Sequence, residues 1–188
     1  MLKKWYYLFL FVLFFSNCQT SRFVNFSENK EVKIAIYNDS EREYLENLIF
    51  YKKYDVEMIY NGNFLIIKNI DEDILIYILR MIRLNIDIIA DNMANANTTR
   101  TVNGGPYIRK YLKISIENGI EIIEDIRSPL RYVYDPSHPD AMITGEMKDY
   151  VRMPNVDIVL ENVDMIAKSS LYERIFEYAK NTYKNIIW

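Results

Sequence analysis

The sequence predicts an α+β chain: a small β-α-β-β-α N-terminal domain, then a long N-terminal and a long C-terminal helix that pair and flank a small antiparallel β region. Three observations predict it. Short period-two segments at 32–37, 56–60 and 64–68 enclose one helix-like stretch. An unbroken helical stretch runs from Asp71 to about Asn95, and apolar residues at three-to-four spacing close the chain after alternating segments at 111–126. Of the 188 residues 50% are apolar and 26% charged, ordinary proportions for one or two small domains with a buried core. Formal net charge is −3, falling to −5 if Lys3 and Lys4 leave with the first 17 residues. Neither value supplies the basic field that draws nucleic acid, so no nucleic-acid partner is expected.

Lys3 and Lys4 precede an unbroken apolar run from Trp5 to Phe15, then Ser16, Asn17 and Cys18. This is the layout of a signal peptide over 1–17. At about 1.5 Å of helix rise per residue the run covers about 16 Å of a bilayer core about 30 Å thick, which disfavours a transmembrane anchor. Cys18 is the only cysteine, so it has no internal disulfide partner. It stands where a lipoprotein signal places the residue that is lipidated and becomes the new N-terminus, and a lipid anchor on Cys18 is expected. The run Phe14-Phe15-Ser16-Asn17-Cys18 differs from the commoner Leu-Ala-Gly-Cys lipobox. A plain secretory signal cleaved nearby, or an uncleaved hydrophobic anchor, reads from the same residues. Gln19 to Glu31 is polar with scattered aromatics, so 18–31 is expected to be a lipidated tether that lifts the folded part off the membrane.

The small α+β module is expected over 32–70. Val32 to Tyr37 alternates as a strand, and Asn38-Asp39-Ser40 offers a cap ahead of a helix from Glu41 to Tyr54. Tyr44, Leu45, Leu48, Ile49 and Lys52 share one face of it, with Glu41, Glu43 and Glu46 near the positive end of the dipole. Val56 to Tyr60 and Phe64 to Lys68 surround Asn61-Gly62-Asn63, a tight hairpin signal. Behind a lipoprotein-like signal, this strand, helix, hairpin order and the helix that follows it, over about residues 32–83, resemble the ring-building module of membrane-ring lipoproteins in type III secretion systems. Ser40-Glu41-Arg42-Glu43 is its most family-like piece, and a generic small α+β layer has the same pattern.

The remaining domain, 71–188, divides into a helix over 71–96, a β region over 104–153 and a helix over 156–187. Asp71-Glu72-Asp73 opens the first helix, a placement that explains these acids better than calcium binding does. Near its end the run Asp87-Ile88-Ile89-Ala90-Asp91-Asn92-Met93-Ala94-Asn95-Ala96-Asn97-Thr98-Thr99-Arg100-Thr101 resembles the N-terminal signature of flagellar axial proteins. Asn92, Asn95 and Asn97 are expected to satisfy loose backbone groups there, and Ala94 and Ala96 to let a neighbouring helix approach. Asn103-Gly104-Gly105-Pro106-Tyr107-Ile108-Arg109-Lys110 resembles the Gly-Gly-Pro-Tyr stretch of proximal rod proteins of the FlgC type, with Gly104 and Gly105 free to take positive φ and Pro106 fixing the exit. Tyr111 to Glu117 and Gly119 to Ile126 predict a hairpin about Asn118-Gly119.

The most specific resemblance to that rod family is Pro129-Leu130-Arg131-Tyr132-Val133-Tyr134-Asp135-Pro136-Ser137-His138-Pro139-Asp140-Ala141, followed by Gly145 and Tyr150-Val151-Arg152-Met153-Pro154-Asn155-Val156-Asp157-Ile158-Val159. In the closing helix Val159, Val163, Ile166, Ser170, Tyr172, Phe176, Ala179, Tyr183 and Ile186 form a stripe expected to pack on the Ile74 to Asn95 helix. Arg174 and Ile175 stand where the family has Ala-Asn. The resemblance covers about residues 84–188. It implies a non-enzymatic structural component of the bacterial flagellar basal body, in which paired rod-type helices stack against other rod and basal-body proteins as a homo- or hetero-oligomer. Two departures, the N-terminal extension and the bulky residues from Ile74 to Leu84, imply either a rod-type subunit or a membrane-tethered lipoprotein associated with the rod on the periplasmic side. An oligomeric lipoprotein of a type III secretion membrane ring is the alternative.

Asp135, His138 and Asp140 sit within six residues, but His138 is the only histidine, and no thiolate cluster or nucleophile elbow accompanies it. No catalytic role, cofactor or metal is expected. The 16 tyrosines, lacking a basic groove, read as core or interface residues rather than base-stacking platforms.

Overall fold

The computed structural model describes residues 32–36, 39–51, 57–61, 64–115 and 119–183. The expected signal peptide, Cys18 and the tether lie outside them, as do Gly62, Asn118 and Ile186. The elements run β1 (Val32–Ala35), α1 (Asp39–Tyr51), β2 (Glu57–Asn61), β3 (Phe64–Lys68), α2 (Glu72–Ala94), β4 (Lys110–Ser115), β5 (Gly119–Glu124), β6 (Arg131–Tyr134), β7 (Tyr150–Met153) and α3 (Ile158–Thr182). The chain is therefore a mixed α+β protein.

β3 is the central strand of an antiparallel sheet in the order β1-β3-β2. Its alternation buries Leu65 and Ile67, and Ile34 of β1 lies directly opposite Leu65 on the same face. α1 begins two residues before Glu41 and buries the expected Leu45, Leu48 and Ile49. α2 starts where Asp71 accepts the Ile74 N–H at 2.9 Å, with Glu72 and Asp73 in the positively polarised first turn. Its 23 residues rise about 34 Å. One continuous core joins Leu65 and Ile67 of the sheet and Leu45 and Ile49 of α1 to Ile74, Ile78 and Ile82 of α2 and to Leu171, Ile175 and Ala179 of α3.

α2 and α3 pack together as expected, but the apolar stripe read for α3 is wrong over its first half. Val159, Val163 and Ile166 are 71%, 59% and 71% exposed, while Glu161 is 0% exposed. Glu161 has an ion-pair partner in Arg109 and a hydrogen bond from Asn92, which make its inward position tolerable. Residues 161, 165, 168, 171, 175 and 178 to 179 form the inward face instead. A reading based on apolarity alone assigns the wrong side, because it cannot see the partners waiting for a carboxylate. In the second half Ala179 is buried and Tyr172, Phe176 and Tyr183 flank the core, as the pattern predicts.

The β region consists of two separate two-stranded ribbons, β4-β5 and β6-β7. Ser115 pairs with Gly119, whose φ of +84° serves the turn. Ala94 is exposed, whereas Ala96 is packed with Tyr107 and Val156 in a second small core. The expected close approach of another helix at these alanines is replaced by the returning loop and the β7-α3 connection.

Candidate assembly site

The residues carrying the family resemblance converge where α2 ends, β4 begins and α3 starts. Asn92, 1% exposed, is the hub. Its Nδ2 donates to the Lys110 carbonyl at 2.8 Å and to Glu161 Oε2 at 3.2 Å. Its Oδ1 accepts the Lys110 N–H at 2.8 Å and lies 2.9 Å from the Tyr107 hydroxyl. Both amide donors and one lone pair are thus used, and the second lone pair shares the single Tyr107 hydroxyl proton with Asp91. Asn92 does serve loose backbone groups, but they are those of Lys110 at the start of β4 rather than of its own helix end, and it also reaches Glu161 on the opposite helix. Asn95 does cap, donating to the Asp91 carbonyl at 2.9 Å, and Thr98 Oγ1 donates to Asn95 Oδ1 at 3.1 Å. Asn97 is exposed on the turn.

The chain reverses at Gly104 and Gly105, whose φ of +81° and +73° would strain any residue with a Cβ although there is open space around both. Thr101 N–H to Gly105 O at 2.8 Å closes this turn. Pro106 then delivers Tyr107 into the core, where its hydroxyl also lies 3.0 Å from Asp91 Oδ2. Burial, reinforced by the Asp91 carboxylate, pushes the phenol well above its usual value. Next along, Arg109 pairs through Nε with the buried Glu161, and Nη2 reaches Asp164 at 3.9 Å. Its backbone N–H donates to Asn155 Oδ1 at 2.8 Å, while Asn155 Nδ2 donates to the Asp125 carbonyl at 2.7 Å and the Ser128 carbonyl at 3.2 Å.

Arg131 ties the β6-β7 ribbon to this junction, donating from Nε to the Pro154 carbonyl at 2.9 Å and from Nη2 to the Ala96 carbonyl at 3.0 Å. Met153 sits opposite Arg131 across the ribbon, and Pro154 and Val156 are buried just beyond it. Asp157 caps α3 by accepting the Val159 and Leu160 N–H groups at 2.9 and 3.2 Å. Tyr134 is exposed and meets Tyr150 edge-on at 5.3 Å between ring centroids.

The stretch that raised the question of catalysis is occupied by local bonds. Asp135 accepts from the Ser137 N–H at 3.1 Å and hydroxyl at 2.7 Å, and His138 Nδ1 accepts the Asp140 N–H at 3.0 Å. Asp140 accepts from Thr99 Oγ1 at 2.8 Å and pairs with Arg100. Hydrogen bonds from Ser137 and Thr99 hold the Asp135 and Asp140 carboxyls below their ordinary range. Pro136 and Pro139 bracket this turn on the surface. Among the described residues no group of three or more His, Cys, Asp or Glu side chains is placed to hold a metal ion.

Most of these residues lie in the stretches that carry the resemblance, whereas Arg109 and Glu161 are not among the residues singled out from sequence. The available signal was a carboxylate set among Ile158, Val159, Leu160 and Val163. Outside this junction, the first half of α3 presents Val159, Val163 and Ile166 to solvent as a seam at four- and three-residue spacing. A rigid polar junction therefore carries an open apolar helix face.

No family model matches the chain. Among curated proteins it is 42% identical over 113 residues to the flagellar basal-body rod protein FlgC of Borreliella burgdorferi, covering 48% of this chain and 74% of that one. It is 33% identical over 116 residues to FlgC of Bacillus subtilis, covering 48% and 75%, and 33% identical over 114 residues to FlgC of Salmonella typhimurium, covering 56% and 80%. With most of each relative's length spanned, the chain belongs to the FlgC family of flagellar basal-body rod proteins.

Proposed function

We propose that this chain is a structural component of the flagellar basal-body rod, assembled through the open face of α3 and tethered to a membrane by a lipid on Cys18. It is not an enzyme, in keeping with relatives that are rod proteins. The observation that carries the reading is the seam of Val159, Val163 and Ile166, held beside the braced junction of Asn92, Arg109 and Glu161. Solvated apolar side chains at helical spacing gain free energy when a neighbouring helix covers them, at about 25 cal/mol for each Å² removed from water. The rest of the junction, from Thr98 and Thr99 through Arg131 to Asp157, holds the two helices and two ribbons in fixed relation, so the seam is presented as a rigid surface.

The tether reading rests on the signal-like first 17 residues and the single cysteine at 18. Among the described residues no helix is long and apolar enough to cross a membrane. On this reading 18–31 is the tether, 32–70 a small module and 71–188 the rod domain, facing the periplasm. A mature N-terminal mass corresponding to a diacylated Cys18 supports the tether, and an intact or differently cleaved leader removes it. For the rod role, basal bodies isolated from cells making the chain should contain it, and Ile166→Glu should abolish that association while thermal stability is kept. Unchanged basal-body composition and motility in a deletion strain would sink the reading. The β-α-β-β order of 32–70 is what favours the alternative of a type III secretion ring. There, substitutions on the exposed surface of the module that leave the shared core intact should abolish ring assembly, whereas rod binding would survive.

A further inference from the structure

We propose that residues 32–70 are a built-in cap on the paired helices. The module completes their core at one end within a single chain and closes that end to other subunits, so that the chain enters an assembly by the open end of α3. Only the second half of this statement rests on the rod reading.

The core supplies the first observation. Ile78 and Ile82 of α2 and Leu171 and Ile175 of α3 are fully buried in the same cluster as Leu45 and Leu65 of the module. α2 and α3 bury part of those faces against each other, and the module covers the rest. The module therefore occupies the position that a neighbouring helix would fill.

A second observation shows how the position is specified. Glu41 of α1 pairs with Arg174 of α3, with the two side chains only 8% and 6% exposed, and Arg174 Nη1 donates to Ser170 Oγ at 2.9 Å. Beside it the Lys168 ammonium stands 3.8 Å over the Tyr44 ring, and the Tyr44 hydroxyl donates to the Met81 carbonyl at 3.2 Å. Tyr44 thus contacts both long helices from α1. A buried ion pair adds little net stability compared with apolar packing, but losing one partner is costly, so it selects a single seating. An apolar face alone would accept any apolar helix.

The test uses the mature full-length chain without any rod component, and so fails or succeeds independently of the basal-body isolation above. Hydrogen exchange and sedimentation velocity are measured on the wild type, Glu41→Arg and the double reversal Glu41→Arg/Arg174→Glu. In the wild type, amides at 78–82 and 171–179 should be as slow as those of β3, and its sedimentation coefficient, with or without pairing at the seam, sets the reference. Glu41→Arg should speed exchange at those segments by about a hundredfold and shift the chain to species larger than that reference, as the uncovered faces find a further copy. The double reversal should restore both. Fast exchange of 78–82 in the wild type would overturn the proposal. So would a Glu41→Arg chain that stays closed, one that opens yet keeps the wild-type sedimentation, or a double reversal that rescues nothing.

Discussion

The two ends of α3 carry similar side chains and lead opposite lives. Toward the C-terminus Leu171, Ile175 and Ala179 are covered by α2 and the N-terminal module, whereas near the N-terminus Val159, Val163 and Ile166 meet water. At the covered end the charged residues serve the cap, through Glu41 and Arg174. At the open end they serve the brace, through Arg109 and Glu161. The difference teaches that an apolar stripe along one helix need not have one fate: buried charge decides which side turns inward, and the remaining apolar side chains stay open to solvent.

The largest contrast should come from truncating matched residues at the two ends. Ile175→Ala should cost about 2–5 kcal/mol in urea unfolding, and Ile166→Ala less than about 0.5 kcal/mol. Equal losses would mean that the two ends are not covered differently. Next, Asn92→Ala should cost about 1–3 kcal/mol, since it leaves buried polar groups of Lys110 and Glu161 short of partners. Its hydrogen-exchange signature should fall at 158–166 rather than at 171–179, and a uniform change would break the division into brace and cap.

Smaller still, Asp157→Ala should cost about 1 kcal/mol by removing the cap of α3, with fraying confined to the open end. Circular dichroism with site-resolved exchange would show whether the loss stays there. The smallest effect is expected at the Asp140 turn in acid. Its carboxyl titrates below the ordinary 3.8 because Thr99 and Arg100 stabilise the charged form. The folded turn therefore binds the proton less readily than the opened one, and what this bond contributes is present above 3.8 and fades as pH falls toward the lower folded value. Thr99→Val should move the midpoint back up, as followed by carboxyl NMR. No movement would show that Thr99 is not the dominant partner.

Much of the architecture was legible from periodicity. The order of strands and helices, the Asp71 start of α2, the paired helices and the glycine turn at 104–105 all follow from local rules that act within a few residues. The family stretches were legible as sequence; parts of them meet at the junction of α2, β4 and α3, while the Asp135 to Pro139 turn lies on the surface. The face of the first half of α3 was not legible. Glu161 is buried because of Arg109, 52 residues earlier, and Asn92, 69 residues earlier, and no local window contains those partners. For the same reason the sequence showed that Asn92 would serve backbone groups but not which ones: its partners lie on β4 and α3. The pinning of Arg174 by Glu41, 133 residues away, is the extreme case.

The main core, drawing on both the first and the last helices, has a kinetic consequence. A ribosome that has made everything up to the end of the β ribbons has released an unfinished interior, because Leu171, Ile175 and Ala179 are still to come. Until then the β1-β3-β2 sheet and α1 can gather on α2, but the α2 face that meets α3 stays bare. Cooperative closure therefore waits for the tail.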